Sequence, residues 1–318
     1  MQALGFVRRI IGALAAGGML AGCGGGTPWQ SPAAVSPNVG TLMHAQAAEK
    51  YSTKKALLFQ ADEAEAAVNI YATGGLRHNP PPIATLHVAE GCPTGLAMDS
   101  SGTLYVADGV YINGDVEEYP KGSMKLKTTI TDGVSGPQAL AIDAKNNLYV
   151  LNHPPTIAVY APGSTAPFIT FSGGGMILPS ALALDKQSNL YIADPFAGAV
   201  FEVKAGYFSV QKLDLKGLAQ PFGLAFEART GYLWVTDGNE NVINVYDLSR
   251  SKSPIKTLPG NGDPNTITAS DVGETKVEMA VADLERDEVY VYKRKEHTPY
   301  AGISNGIQLT TALLIRKP

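Results

Sequence analysis

Charge is scarce in this chain. Acidic and basic residues make up 17% of the 318 positions, whereas Gly and Pro contribute 34 and 21. Helical bundles and coiled coils need long charged faces and few breakers, so that balance argues against them. A basic excess is also missing: the formal charge is −4, which leaves nothing to neutralise a phosphate backbone and speaks against a nucleic-acid partner. No segment is long and apolar enough to span a bilayer. The apolar run Ile10–Leu20 falls well short of the roughly 20 residues required. Cysteine occurs twice, at Cys23 and Cys92. The spacings Cys-x-x-Cys, His-Glu-x-x-His and Gly-x-x-x-x-Gly-Lys do not occur, which removes the commonest metal, redox and phosphate motifs. What is there is 45% hydrophobic residues, enough for packed cores and against disorder.

The first residues form an address. Arg8 and Arg9 precede Ile10–Leu20, and Leu20-Ala21-Gly22-Cys23 follows. Basic, then apolar, then small residues is the layout of a secretory signal. The small residues ending in a cysteine resemble the lipobox of bacterial lipoproteins. That resemblance implies a signal peptide over residues 1–22, cleavage before Cys23, and acylation of Cys23 with palmitate-type chains as a membrane anchor. Loss of Arg8 and Arg9 would take the formal charge from −4 to −6. Gly24 stands where an Asp would resemble an inner-membrane retention signal, which leans the expectation towards an outer-membrane or surface site. Cys92 is then left without a partner and reads as a small buried hydrophobe. Residues 23–55 are rich in Gly, Ala, Ser and Pro without sustained periodicity, and read as a flexible tether reaching roughly 30 Å.

From Ala56 the chain repeats. Pro93-Thr94-Gly95-Leu96-Ala97-Met98-Asp99 aligns with Pro137–Asp143, Pro179–Asp185 and Pro221–Glu227, and more weakly with Pro264–Ala269. The prolines lie 44, 42, 42 and 43 residues apart. About ten residues after each proline comes a second run, Leu104-Tyr105-Val106-Ala107-Asp108 and its copies ending at Asn152, Asp194, Asp237 and Asp283. Leu58–Asp62 is a sixth copy that lacks a first run before it. A third run, such as Val116–Tyr119 or Val242–Tyr246, closes each unit. Short β-branched and aromatic runs separated by turn residues are hairpins. Four strands in 42–46 residues is the period of a propeller blade. Gly95, Ala97 and their copies put small residues on one face of the first run, where neighbouring blades approach. The missing first run is supplied by Gly306–Ile315 (GIQLTTALLI), so residues 56–318 predict an all-β, six-bladed propeller of four-stranded blades closed by N- and C-terminal strands.

The recurring Pro-x-Gly/Ala-Leu-Ala-x-Asp and Leu-Tyr-Val-Ala-Asp runs resemble the NHL-repeat propellers and the wider six-bladed TolB-like group. Asp237-Gly238-Asn239-Glu240-Asn241-Val242 comes nearest to the NHL turn, and the other blades depart from it. The Gly-His and Trp-Asp signatures of the WD40 family are absent.

Chemistry is harder to find. Asp62, Asp108, Asp194, Asp237 and Asp283 have the look of a metal ring, but a residue recurring in nearly every repeat is more simply scaffolding, bonded to turn backbone. The informative positions follow each proline: Thr94, Gln138, Ser180, Phe222 and Asn265. In propellers resembling the gluconolactonase group, equivalent positions face the tunnel mouth and hold Ca²⁺. That cation wants carboxylate oxygens, which these five do not offer, so no metal or cofactor is expected. A small neutral ligand, or water, fits them better. His153 stands near the mouth as a weak candidate base, as in enzymes resembling virginiamycin B lyase. The strand pattern of those enzymes is missing, and an exposed loop histidine is the simpler reading. Gly302-Ile303-Ser304-Asn305-Gly306 matches a nucleophile motif by chance, with no Asp or His after it. Gly109–Asp115 is read as a loop exposing Tyr111 and Ile112 as a binding rim.

The sequence therefore predicts a monomeric, lipid-anchored binding or scaffold protein of the cell envelope, with a protein or glycan partner. The alternative is a hydrolase or lyase in the tunnel.

Overall fold

A computed structural model describes residues 50–89, 91–110, 113–227, 230–260, 264–269, 279–283, 286–292, 299, 301–308 and 310–316. The signal, Cys23 and most of the tether lie outside them. The described chain folds into six four-stranded antiparallel sheets arranged as a six-bladed β-propeller.

Blade 1 takes Leu57–Asp62, Ala67–Ala72 and Ala84–His87, and its inner strand, Thr310–Arg316, comes from the far end of the chain. The other blades are simple meanders that start at their inner strands: Pro93–Met98, Ala139–Ile142, Ala181–Leu184, Pro221–Phe226 and Pro264–Ala269. The closing pair runs Leu57↔Arg316 to Asp62↔Thr310, with a bulge at Ala61/Asp62. One 3₁₀ helix, Thr73–His78, is the described exception to strand and turn.

Two sequence expectations need correction. Gly109–Asp115 is not a loop: the pairing continues through Gly109↔Gly114 and Val110↔Asn113, because small residues here let the hairpin extend by one more turn of its ladder. Tyr111 and Ile112, expected as a rim, lie outside the described residues. Ordered contacts also begin before Ala56. Tyr51 donates its N–H to Gly122 O at 2.9 Å and packs edge-on against Phe59 with ring centroids 5.8 Å apart, so burial of one aromatic ring pins the end of the tether.

There is no single core. Apolar side chains form six clusters, one at each blade interface. Between blades 2 and 3, for example, Ala97, Ala107 and Val116 meet Leu140, Val150 and Tyr160. The two faces of each inner strand divide this work. Leu96 packs towards blade 1, whereas Ala97 packs towards blade 3. Small residues are needed on the second face. A Cβ on Gly95 would lie 2.9 Å from Ala139 Cα of the next blade, and one on Gly223 would lie 2.7 Å from Asn265 O. Any larger side chain there would push two inner strands apart.

Tyrosines lock the outer half of the ring. The fully buried Tyr71, Tyr160 and Tyr246 donate their hydroxyls to Asn305 O (3.0 Å), Asp132 O (2.7 Å) and Lys216 O (2.8 Å), each on the chain arriving from the preceding blade. Burial, with nearby carboxylates adding to it, pushes these phenols well above their ordinary range. Tyr105 is raised to about 12 by burial first and then by the charges of Glu118 and Asp99. A group whose folded pKa is raised contributes stability that is complete below its unfolded pKa and is lost as pH climbs through the folded value. Urea midpoints are therefore expected to hold steady up to about pH 10 and to fall steeply by about pH 11, which denaturation at about pH 8 and about pH 11 measures.

Candidate functional site

The six inner strands run in one direction along the axis and pair on one side only, so each turns a free edge towards a central tunnel. The tunnel encloses a cavity of about 340 Å³. Aliphatic residues of every inner strand line it, among them Leu96, Leu140, Leu182, Leu224, Ile267 and Leu313. These six occupy equivalent repeat positions, so the tunnel is belted by apolar groups, with polar side chains confined to the mouth where the inner strands begin. That mouth and the loops around it are called the entry face below; the inner strands end at the exit face.

The structure brings Thr94, Gln138 and Ser180 together in the lining of the tunnel. Their polar atoms are already engaged. Thr94 Oγ1 donates to Pro137 O at 2.6 Å, and Ser180 Oγ donates to Phe222 O at 2.7 Å. Both bonds run from one blade to the next. Gln138 Nε2 turns back to Gly136 O at 3.2 Å. Phe222 and Asn265 are not in the lining. Phe222 is buried and lends its carbonyl to Ser180, while Asn265 lends its own to Thr236 Oγ1 at 2.7 Å. His153 is not in the lining either. Its N–H donates to Ser135 O and Gly136 O on the incoming connector, and its Nδ1 is buried without a partner.

Two members of this set were not visible in the sequence. Thr311, also in the lining, donates to Pro93 O and so repeats the Thr94 bond at the closing blade. It follows a threonine rather than a proline, which hid its equivalence to Thr94. Thr236 sits where the second runs of blades 2 and 4 carry alanine; with Phe222 unable to donate, this second-strand hydroxyl supplies the bond to the next blade. The substitution of Thr for Ala in Leu-Trp-Val-Thr-Asp was the signal that could have found it. At four of the six blade interfaces the mouth is thus clasped by a hydroxyl that keeps only acceptor capacity for a ligand.

The recurring aspartates serve the same end. Asp194 is fully buried and accepts four N–H bonds, from Ile177 (2.6 Å) and Leu178 (3.1 Å) on the incoming connector and from Phe196 (3.0 Å) and Ala197 (2.9 Å) on its own hairpin. Asp237 and Asp108 likewise accept from the connector before their blades. Such carboxylates are saturated by backbone donors, the arrangement that makes burial of a charge tolerable. Among the described residues no three His, Cys, Asp or Glu side chains converge as metal ligands. Cys92 corrects another expectation: it is buried as foreseen but disulfide-bonded rather than unpaired, and its partner lies outside the described residues.

One consequence of holding these loops so firmly is that Asp194 presents two apolar side chains to solvent. Ile177 is 57% exposed and Phe196 44%, on neighbouring loops at the entry face of blade 4.

No protein-family model and no curated protein matches the chain. Solved structures do. A chain of the crystal structure of a nidogen/laminin complex is similar over 82% of this chain and 98% of its own length, with a TM-score of 0.67 and 16% identity. That likeness is one of fold, the propeller.

The clasps make a direct prediction. Thr94→Val and Ser180→Ala should each lower unfolding stability by about 1–2 kcal/mol, since each strands a buried carbonyl. Thermal or urea melts of the two variants read this out, and unchanged stability would mean that the hydroxyls are free for a ligand.

Proposed function

We propose that this protein is a non-enzymatic, lipid-anchored scaffold of the cell envelope whose entry face takes a protein or glycan partner. The observation that carries the reading is the pair Ile177 and Phe196, two exposed apolar side chains on loops fixed by four hydrogen bonds to one buried carboxylate. Preorganised apolar groups lose little entropy when a partner covers them, which is what a binding anchor requires. The tunnel mouth beside them spends its hydroxyls on holding blades together, which suits a rim for recognition better than a reacting centre. The similar solved structure is likewise a propeller, from a complex named for two proteins. The Pro-x-Gly/Ala-Leu-Ala-x-Asp repeats support an NHL-type, TolB-like propeller, and the chain is read as a monomer.

The anchor rests on Leu20-Ala21-Gly22-Cys23. Intact mass reports whether the Cys23 thiol is acylated. Cys23→Ala should move the protein from the membrane fraction to the soluble fraction, and a variant that stays membrane-bound would remove the lipoprotein reading. For the partner, Ile177→Asp combined with Phe196→Asp should weaken a co-purifying envelope component by about 10-fold or more while leaving the melting temperature unchanged. An unaltered complex would move the binding surface elsewhere.

A further inference from the structure

The charges of this acidic protein are not spread evenly around the ring. In a four-stranded meander, the hairpin joining the inner and second strands and the one joining the third and fourth strands lie at the exit face. The hairpin joining the second and third strands, and the connector to the next blade, lie at the entry face. Sorting the described loop residues by this rule separates the signs. At the exit face Lys54, Lys121, Lys125, Lys145, Lys186 and Lys204 are all exposed. The acids described there, Asp99, Asp143, Asp185, Glu227 and Asp247, accept hydrogen bonds from their own turns. At the entry face the loops carry Glu63, Glu65, Asp132, Glu240 and Asp287. Their basic residues among those described are Lys216, paired with Asp214 at 2.7 Å, and Arg286, which donates to Tyr290 Oη at 3.0 Å.

Apolar side chains follow the basic ones. Of the eight large hydrophobics that stand exposed among the described residues, Ile83, Leu126, Phe168, Tyr207, Phe208 and Ile255 are on third-to-fourth hairpins, spread over blades 1 to 5. A protein that keeps such groups wet on one face, between lysines, has the composition of an interfacial surface. The first described residues meet the ring here too. Lys50 bridges to Ser123, Tyr51 bonds to Gly122 O, and the Lys121 side chain of that same hairpin lies against Gly102, in the turn that ends the blade 2 inner strand. Lys50 and Tyr51, the first described residues, therefore lie at the exit face.

We infer that the exit face docks on an anionic lipid surface, with lysines at the headgroups and Phe168 and Phe208 of the third-to-fourth hairpins at the headgroup boundary. A face that gathers basic residues in a protein of net charge −4 is matched by an anionic surface and by no neutral one. Docked this way, the ring would hold Ile177, Phe196 and the tunnel mouth away from the membrane. The inference does not use acylation of Cys23. It concerns contact made by the folded ring itself, so it can fail while the scaffold reading stands, and the reverse.

The test uses a chain beginning at Gly24, which lacks the apolar segment and Cys23 but keeps every described strand, since those lie between Leu57 and Arg316. Sedimentation with vesicles should show binding to phosphatidylcholine mixed with phosphatidylglycerol, little binding to phosphatidylcholine alone, and release in high salt. Lys121→Glu with Lys125→Glu should weaken partitioning about tenfold or more, each lysine near an anionic surface being worth about fivefold. Glu240→Lys on the opposite face should leave it unchanged. Phe168→Ser with Phe208→Ser should weaken binding while preserving its salt dependence. If charge reversal lowers the thermal midpoint, the Lys→Gln pair replaces it. Equal binding to both vesicle types, no binding, or binding to soluble heparin but not to vesicles would each overturn the inference.

Discussion

Everything in this molecule depends on how closely neighbouring inner strands approach. Six strands around one axis leave room for almost no side chain on the face turned to the next blade, so Gly95 and Gly223 stand where a Cβ would meet backbone. Once that approach is made, leucine, valine and tyrosine side chains further out fill six wedge-shaped layers, one per interface. Stability is therefore distributed around a ring rather than stored in one centre. The two wedges that flank blade 1 are complete only when Thr310–Arg316 pairs with Leu57–Asp62, since Ala312 belongs to one and Leu313 to the other.

Polar groups inside the ring follow from the same geometry. A blade edge carries backbone groups that cannot all reach water, and each repeat spends side chains to satisfy them. Asp194 and its copies collect connector N–H groups, Tyr71, Tyr160 and Tyr246 of the third strands donate to carbonyls on the incoming chain, and Thr94, Ser180, Thr236 and Thr311 bond to the next blade at the tunnel mouth. Residues that look like a metal ring in one dimension are hydrogen-bond acceptors in three. Where repeats do differ, at Ile177 and Phe196 on one face and at the lysine-bearing hairpins on the other, the differences face outward.

Much of this was legible in the sequence because each blade is a local structure. Strand alternation, the Asp turns and the 42–44-residue spacing of prolines depend on neighbours along the chain, and so they repeat visibly. Even the C-terminal closing strand could be assigned, since one first run was missing from the count. The errors lie where local reading lacks information. Gly109–Asp115 has loop-like composition, yet its glycines extend a hairpin because nothing blocks the ladder. Tyr51 looks like the end of a tether, yet Phe59 offers it a ring to pack on.

By itself, the sequence determined the number of blades, their strand order and the residues that punctuate them, because hydrogen-bonded meanders follow from periodicity and turn chemistry. Only the tertiary structure decided what the marked residues do. Whether Thr94 faces a ligand or a neighbouring carbonyl, whether Phe222 lines a tunnel or packs beneath it, and which loops share a face are questions about contacts between blades. Those contacts join residues about 42 positions apart, and closure joins residues some 250 apart. No pattern along the chain fixes them, since they arise only when the ring shuts and its inner strands meet.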